Sequence, residues 1–514
     1  MFPKMDEIIV SAIIGELFGR SVSFLIEACS KRMEPPPPPS EPESLESLRL
    51  LLLRLGAVVE DAEGRRITSQ AMLQQLSTLR HELQRGHFTL DTFRCHAHER
   101  DKAPPADHES GQHSFALSRF NPAKRLCVCS GSGSGERSRD LQRVIASLEA
   151  SIQNATEFIL LSGRYPRLAR QPYSMYLLVD KCMFGRQMEM ELIVNFLLQG
   201  EQDLGAEHLG ILPIFGAANV GKSTLVEHAC IDERVRDHFS QIVLLSGGDL
   251  VGKDMELALA DGAGEIKHVN RAESGGGRVL IIVELDRDIS EDFWQSLYST
   301  VKNRFVDGSK IIVTSRSDKI ARFGTTLPIR MQYLTQEAYW YFFKARTFGS
   351  VDVVMEHPKL ASIAMAMARE MTGCFMEADI FGGLLRSRLD IGTCSLALAT
   401  YREFRQRNGS VSCQNHVDPW ALSRPVLLPT VSRVSPGYFV VVKTYQTASA
   451  HDNDTAPKIS VQGVILGRAR PQGKFAALAC RSHIPPHYNY VFSCEQRMPA
   501  SAVSRKNRTM KVSM

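Results

Sequence analysis

One stretch constrains this chain more than any other: Leu209-Gly-Ile-Leu-Pro-Ile-Phe-Gly-Ala-Ala-Asn-Val-Gly-Lys-Ser-Thr-Leu-Val-Glu-His-Ala229. The apolar run 209–215 reads as a buried strand. It breaks at Gly216, and a helical pattern starts at Lys222 with Leu225, Val226 and Ala229 on one side. Between them stands Gly216-x-x-x-x-Gly221-Lys222-Ser223, the phosphate-binding loop pattern in the strand–loop–helix setting it requires. Glycines let the backbone curl so that successive N–H groups point inward at a polyphosphate. The helix N-terminus adds partial positive charge. Lys222 can reach the β and γ phosphates, the Ser223 hydroxyl can sit on Mg²⁺, and Asn219, Val220 and Thr224 complete the loop around the phosphates. The bland alternative, a Gly-rich turn before a surface helix, leaves the flanking strand and helix unexplained.

The neighbouring sequence supplies the rest of such a unit. Gln241-Ile-Val-Leu-Leu245, Arg278-Val-Leu-Ile-Ile-Val283 and Gly308-Ser-Lys-Ile-Ile-Val-Thr-Ser-Arg316 read as strands. Helical patterns separate them, except at 247–277, where Gly-rich sequence suggests loops around one short helix. Near-continuous apolar strands alternating with helices predict a parallel sheet covered on both faces, with ligands at the carboxyl ends of the strands. That edge carries the phosphate loop, Glu284 and Arg316. Glu284 suits the Mg²⁺-holding, catalytic acid, and Arg316 suits a cation near the γ-phosphate. As bland readings, Glu284 is a solvated strand-end acid and Arg316 a surface ion pair. The next residue, Leu285, can do no acid–base work, and Asp286 could reach in only if the strand ended differently.

Before this unit the chain is helical. Residues 1–30 read as one apolar helix, interrupted by Glu16, Arg20 and Glu27, which fits neither a signal peptide nor a spanning helix. Five consecutive prolines, 35–39, make a stiff spacer. Helical patterns return from Leu45 and again through Met72, Leu76, Leu79, Leu83 and Leu90, the latter as one narrow apolar stripe with Gln74, Gln75, Arg80 and Glu82 on polar faces. Residues 95–136 lose this order and end in a Ser-Gly run; their Cys95, His96, His98, His108 and His113 match no standard metal spacing. A last helix, with Leu141, Val144, Ile145 and Leu148, completes a four-helix bundle.

After the sheet, residues 335–400 read as helical, with aromatic and Met-rich stretches that are core. Beyond about 408, the segments 438–442, 459–466 and 488–494 read as strands. Sixty-one Lys+Arg against 56 Asp+Glu is too balanced for nucleic-acid binding by bulk charge. Eleven scattered cysteines point to a reducing compartment. The motifs at Asn408, Asn453 and Asn507 that match glycosylation sites read as chance without a secretory signal.

The phosphate loop, then His238-Phe-Ser-Gln-Ile-Val, then an apolar strand with an acidic end, then Ser309-Lys-Ile-Ile-Val-Thr-Ser-Arg316, resembles the NB-ARC nucleotide-binding domain of plant disease-resistance proteins. Leu73-Gln-Gln-Leu-Ser-Thr-Leu-Arg-His-Glu-Leu83 resembles their coiled-coil-type N-terminal domain, and Phe184-Gly-Arg186 the segment that opens the nucleotide domain near the adenine. The resemblance covers residues 1–400 and implies an ATP/ADP switch of the STAND class in innate immunity, with Arg186 among the nucleotide-binding residues. The departures are specific. The family's paired aspartates stand here as Glu284 and Leu285; its Gly-Leu-Pro-Leu motif falls at Gly373-Cys-Phe-Met-Glu-Ala378, without a proline; and neither a Met-His-Asp triplet nor a leucine-rich repeat is found. These departures put turnover in question more than binding, leaving at most a slow ATPase.

The resulting expectation is a multidomain α and α/β chain. It has a helical N-terminal domain over 1–165 with a disordered insert at about 95–136, a P-loop nucleotide-binding domain over 178–330, a helical subdomain over 331–400 and a small strand-rich region over 410–514. ATP or ADP with Mg²⁺ at the phosphate loop would control protein partners, or self-association, through the N-terminal bundle. The expected location is cytoplasmic, with membrane contact only peripheral. The alternative is a non-hydrolysing adaptor or decoy with a vestigial nucleotide site.

Overall fold

The computed structural model describes residues 40–100, 134–167, 183–199, 209–246, 265–269, 277–349, 353–371, 373–408, 425–430, 437–448, 456–482, 484 and 487–497. The expected first helix, the proline spacer and the greater part of the segment 95–136 lie outside these residues.

Three long helices come first: α1 (Glu41–Glu63), α2 (Gln70–Arg100) and α3 (Ser134–Ser162). Helix α1 starts on a capping box, Ser40 with Glu43, which satisfies orphan N–H groups reciprocally. The three pack around Leu48, Leu55, Leu76, Leu83, Leu148 and Phe158. Two details correct the sequence reading. Helix α2 runs on to Arg100 and α3 begins at Ser134, so both ends of the segment 95–136 are helical. Arg80, placed on a polar face, is buried and paired with Glu63 at 2.8 Å.

The α/β unit follows, with α4 (Gln187–Leu198), β1 (Gly210–Gly216), α5 (Lys222–Ile231), α6 (Glu233–His238), β2 (Gln241–Ser246), β3 (Glu265–Val269), β4 (Val279–Leu285), α7 (Glu291–Arg304), β5 (Lys310–Ser315), a 3₁₀ turn (Asp318–Phe323) and β6 (Ile329–Met331). The strand order is β3-β2-β4-β5-β1-β6, and the last five of these strands run parallel. Strand β3 pairs antiparallel at the edge, where the sequence suggested only loops and a helix. Strand periodicity sorts the side chains onto two faces. Leu280 and Ile282 join Ile214, Ile312, Leu225 and Val226, on the α5 face. Ile281, Val283 and Leu285 join Val313, Trp294, Leu297 and Phe323, on the α7 face. Helix α7 is well signalled locally: Ser290 caps it, accepting from the Phe293 N–H, with Glu291 and Asp292 in its first turn and Lys302 and Arg304 in its last.

Five helices come next: α8 (Gln336–Phe348), α9 (Val353–Glu356), α10 (Pro358–Glu370), α11 (Phe375–Ser387) and α12 (Ile391–Asn408). The described residues end in β7 (Val426–Pro429), β8 (Tyr438–Ala448), α13 (Val461–Ile465), β9 (Lys474–Arg481) and β10 (Tyr488–Arg497), the strands forming an antiparallel sheet of order β7-β8-β10-β9. The expected strand at 459–466 is instead the short helix α13, because Ser460 caps it by accepting from the Gly463 N–H. One apolar core joins Tyr339, Phe381 and Phe404 of the helices to Phe439, Ala477 and Phe492 of this sheet. Helix α2 reaches the same core through Cys95. Asp91 on α2, 6% exposed at its side chain, accepts from Lys344 Nζ at 2.6 Å and Trp340 Nε1 at 3.0 Å, both on α8. The N-terminal helices are thereby joined to the helices behind the sheet through a desolvated ion pair.

Candidate functional site

Strand β1 delivers the loop 216–221 to the carboxyl edge of the sheet. Two glycines are required by geometry. A Cβ on Gly216 would lie 2.2 Å from the Met331 carbonyl oxygen, so the backbone of β6 could not approach. Gly221 has φ 94°, and a Cβ there would strike Met183. Asn219, an exposed residue, also takes a left-handed conformation, φ 56°. Successive left-handed and right-handed residues turn N–H groups toward one concave side, which is the arrangement that receives an anion. Val220 is buried beneath the loop, in the core under α5.

Lys222, Ser223 and Thr224 open α5 and are all half-buried. Lys222 Nζ donates to the carbonyls of Gly216 at 2.8 Å and Ala217 at 2.7 Å, which holds the ammonium over the loop. Burial, and after it the Arg316 guanidinium, lower its pKa to about 8, against the opposing effect of Glu284. These three groups therefore share one electrostatic neighbourhood. Their convergence follows from the register. Glu284 pairs across the sheet with Ser246 and Thr314, Thr314 pairs with Ile214, and Arg316 lies one residue past β5.

Glu284 lies within β4 rather than beyond it, on the face shared with α5. Its Oε1 is buried with no hydrogen-bond partner, a costly condition for a carboxylate unless a cation or polar ligand completes it. Leu285 points to the other face and is 6% exposed among Trp294 and its neighbours. Asp286 is exposed and lies 3.5 Å from Arg287. The second acidic position is thus occupied by a packing residue, and Asp286 does not replace it.

Arg186 braces the segment beside this cluster. It is buried, paired with Glu189 at 3.1 Å, and donates to the Gln332 carbonyl between β6 and α8. Its Nε is buried without a partner. Phe184 stacks on Tyr341, with ring centroids 6.0 Å apart. The segment 183–186 therefore closes over one side of the loop, with Met183 above Gly221.

Three contributions were missed in the sequence. Tyr333 donates to the Ala218 carbonyl at 2.8 Å, fastening the loop from the β6 side. Tyr488 donates to Glu227 on α5 at 2.6 Å, and the Tyr490 phenol faces the Thr224 hydroxyl. The alternation Tyr488-Asn-Tyr490 on an expected strand was the available signal. Of the other candidates, His98, His108 and His113 lie outside the residues whose side chains are described. Cys95 is buried, and His96 Nδ1 lies 2.6 Å from the Thr92 carbonyl. Among the described residues no group of three or more His, Cys, Asp and Glu gathers as a metal site. Asn408 is buried and bonds both the N–H and the carbonyl of Leu427, so it holds β7 and cannot carry a glycan. Among the described residues no helix is long and apolar enough to cross a membrane.

No family model matches the chain. It is 26% identical over 258 residues to the disease resistance protein RGA2 of Solanum bulbocastanum, which covers 48% of this chain and 26% of that protein. The putative disease resistance protein RGA1 of the same species is 24% identical over 264 residues, covering 48% and 26%. The putative disease resistance RPP13-like protein 1 of Arabidopsis thaliana is 23% identical over 407 residues, covering 74% of this chain and 36% of that protein. The chain thus spans about a quarter to a third of the length of these relatives. Among solved structures, C. elegans PCH-2 matches 46% of this chain and 74% of its own at 11% identity and TM-score 0.30. Drosophila ORC bound to DNA matches 43% and 62% at 13% identity and TM-score 0.24. At such scores the fold rests on this chain's own strand order. Over about half of its length or more, the chain is thus similar in sequence to plant disease resistance proteins.

Proposed function

We propose that this chain is a nucleotide-binding signalling component of plant defence, taking ATP or ADP with Mg²⁺ at the loop 216–224. The observation that carries this reading is the convergence of Lys222, Glu284 and Arg316 on a loop whose backbone is turned to receive an anion. In this reading the loop N–H groups and Lys222 hold the β and γ phosphates, and Arg316 faces the terminal phosphate. Ser223 and Glu284 are the residues that would hold Mg²⁺, and the orphaned Glu284 Oε1 fits that role. The metal, when bound, supplies charge neutralisation at the phosphates. Leu285 offers no base for water activation, so turnover is slow or absent, and binding itself is the signal. Protein partners or self-association through the N-terminal helices, and a cytoplasmic setting, belong to the same proposal.

The test is nucleotide content. Full-length protein is purified, denatured, and its released nucleotide identified by chromatography, with Lys222→Ala as control. Near-stoichiometric ADP or ATP, lost in the variant, is the expected result. A folded protein that releases none, and fails to bind added Mg-ADP or Mg-ATP, favours the second reading, an adaptor with a vestigial site. That reading draws on the packing of Leu285 into the α7 face.

A further inference from the structure

The last strand of the C-terminal sheet lies directly against the phosphate-loop helix. Tyr488 and Tyr490 are two residues apart on β10, so strand geometry puts both phenols on one face. Thr224 and Glu227 are three apart on α5, so helix geometry puts both on one side. The two pairs meet. Tyr488 Oη donates to Glu227 Oε2 at 2.6 Å, and the Tyr490 phenol faces the hydroxyl of Thr224, the residue next to the magnesium-site Ser223. Ile484, just before the strand, is buried in the same apolar cluster as Leu225 and Val226 of α5. Behind β10, Tyr490 pairs with Cys480 of β9, whose thiol is pushed up by burial and, to a lesser degree, by the Asp379 carboxylate. Asp379 and Arg346 form an ion pair at 2.7 Å between α11 and α8. Strand β10 therefore lies between α5 on one side and, through β9, the Arg346–Asp379 pair of the helices behind the sheet on the other.

We propose that the C-terminal sheet is the regulatory element of the nucleotide site: docking of Tyr488 and Tyr490 on α5 holds the first turn of that helix in its phosphate-binding arrangement. This rests on the nucleotide-binding reading given above. Coupling of this kind is reciprocal, so whatever docking adds to nucleotide affinity, nucleotide must add to docking. Tyr490 and Tyr488 act as positioning residues, through Thr224 and Glu227, and touch no phosphate themselves.

The experiment uses the full chain with Mg-ADP as probe. Hydrogen exchange of 488–497 is compared with and without saturating Mg-ADP, and Mg-ADP affinity is measured for wild type, Tyr490→Phe and Tyr488→Phe. The expected result is slower exchange across β10 on binding and an affinity about fivefold weaker in Tyr488→Phe, the size of one lost hydrogen bond, with a smaller loss in Tyr490→Phe. Since Phe keeps the ring, the thermal midpoint without nucleotide should stay within a few degrees of wild type. Should either variant fail to fold, the wild-type exchange comparison decides alone. Binding of Mg-ADP with unchanged β10 exchange overturns the proposal and leaves the nucleotide reading standing. Absence of Mg-ADP and Mg-ATP binding in the wild type overturns both.

Discussion

Burial and the adjacent Arg316 charge bring the Lys222 ammonium down to about 8, and this makes the site pH-sensitive in a defined direction. Phosphate oxygens favour the charged ammonium, so binding at higher pH must take up a proton. Nucleotide affinity should be flat below about pH 8 and fall as pH rises above it, by up to roughly tenfold per unit until Lys222 is deprotonated even in the complex. Calorimetric titration from pH 7 to 9.5 checks this, and a constant affinity would contradict it. A second residue-scale prediction concerns Asp91. Replacing it with Ala leaves the Lys344 ammonium, 1% exposed, without its carboxylate. The expected loss is about 3–5 kcal/mol in denaturant unfolding, much of it recovered when Lys344→Met is added. Neither interaction was legible in the sequence. Asp91 and Lys344 are 253 residues apart, and only the packing of α2 on α8 gives either a partner.

At the scale of elements, β4 decides between two readings of its last residues. Strand alternation sends Glu284 to the α5 face and Leu285 into the α7 face beside Trp294 and Leu297. Leu285→Asp should therefore place a carboxylate in apolar core. The expected outcome is destabilisation of upward of about 3 kcal/mol and no gain in ATP turnover. An active, equally stable variant would show that the strand end can turn its side chain to the loop. Parallel strands were readable because each is a near-continuous apolar run, and α7 because its caps and charges agree with its pattern. Helix α13 was not, since Val461, Val464 and Ile465 are as apolar as a strand, and the Ser460 cap that decides it looks like any loop serine. Strand β3 gave no signal either: Glu265-Ile-Lys-His-Val269 is too polar for a central strand and exists as an edge partner of β2.

For the whole molecule, a ligand that binds only the folded chain stabilises it by mass action. Mg-ADP at a hundred times its dissociation constant should add about 2.7 kcal/mol and raise the thermal midpoint, and Lys222→Ala should abolish the shift. Because one core joins the helices behind the sheet to the C-terminal strands, those parts should melt together in a thermal scan. The phosphate loop, its strand and helix, and the acid and cation at neighbouring strand ends were determined by the sequence alone. They are local patterns, a few residues long, whose chemistry admits few substitutes. Tertiary structure decided which face each strand residue takes, which buried charge meets which, and that β10 rests on α5. Those outcomes depend on contacts between residues far apart in the chain. Their free energy comes from desolvation at interfaces that exist only once the elements have packed.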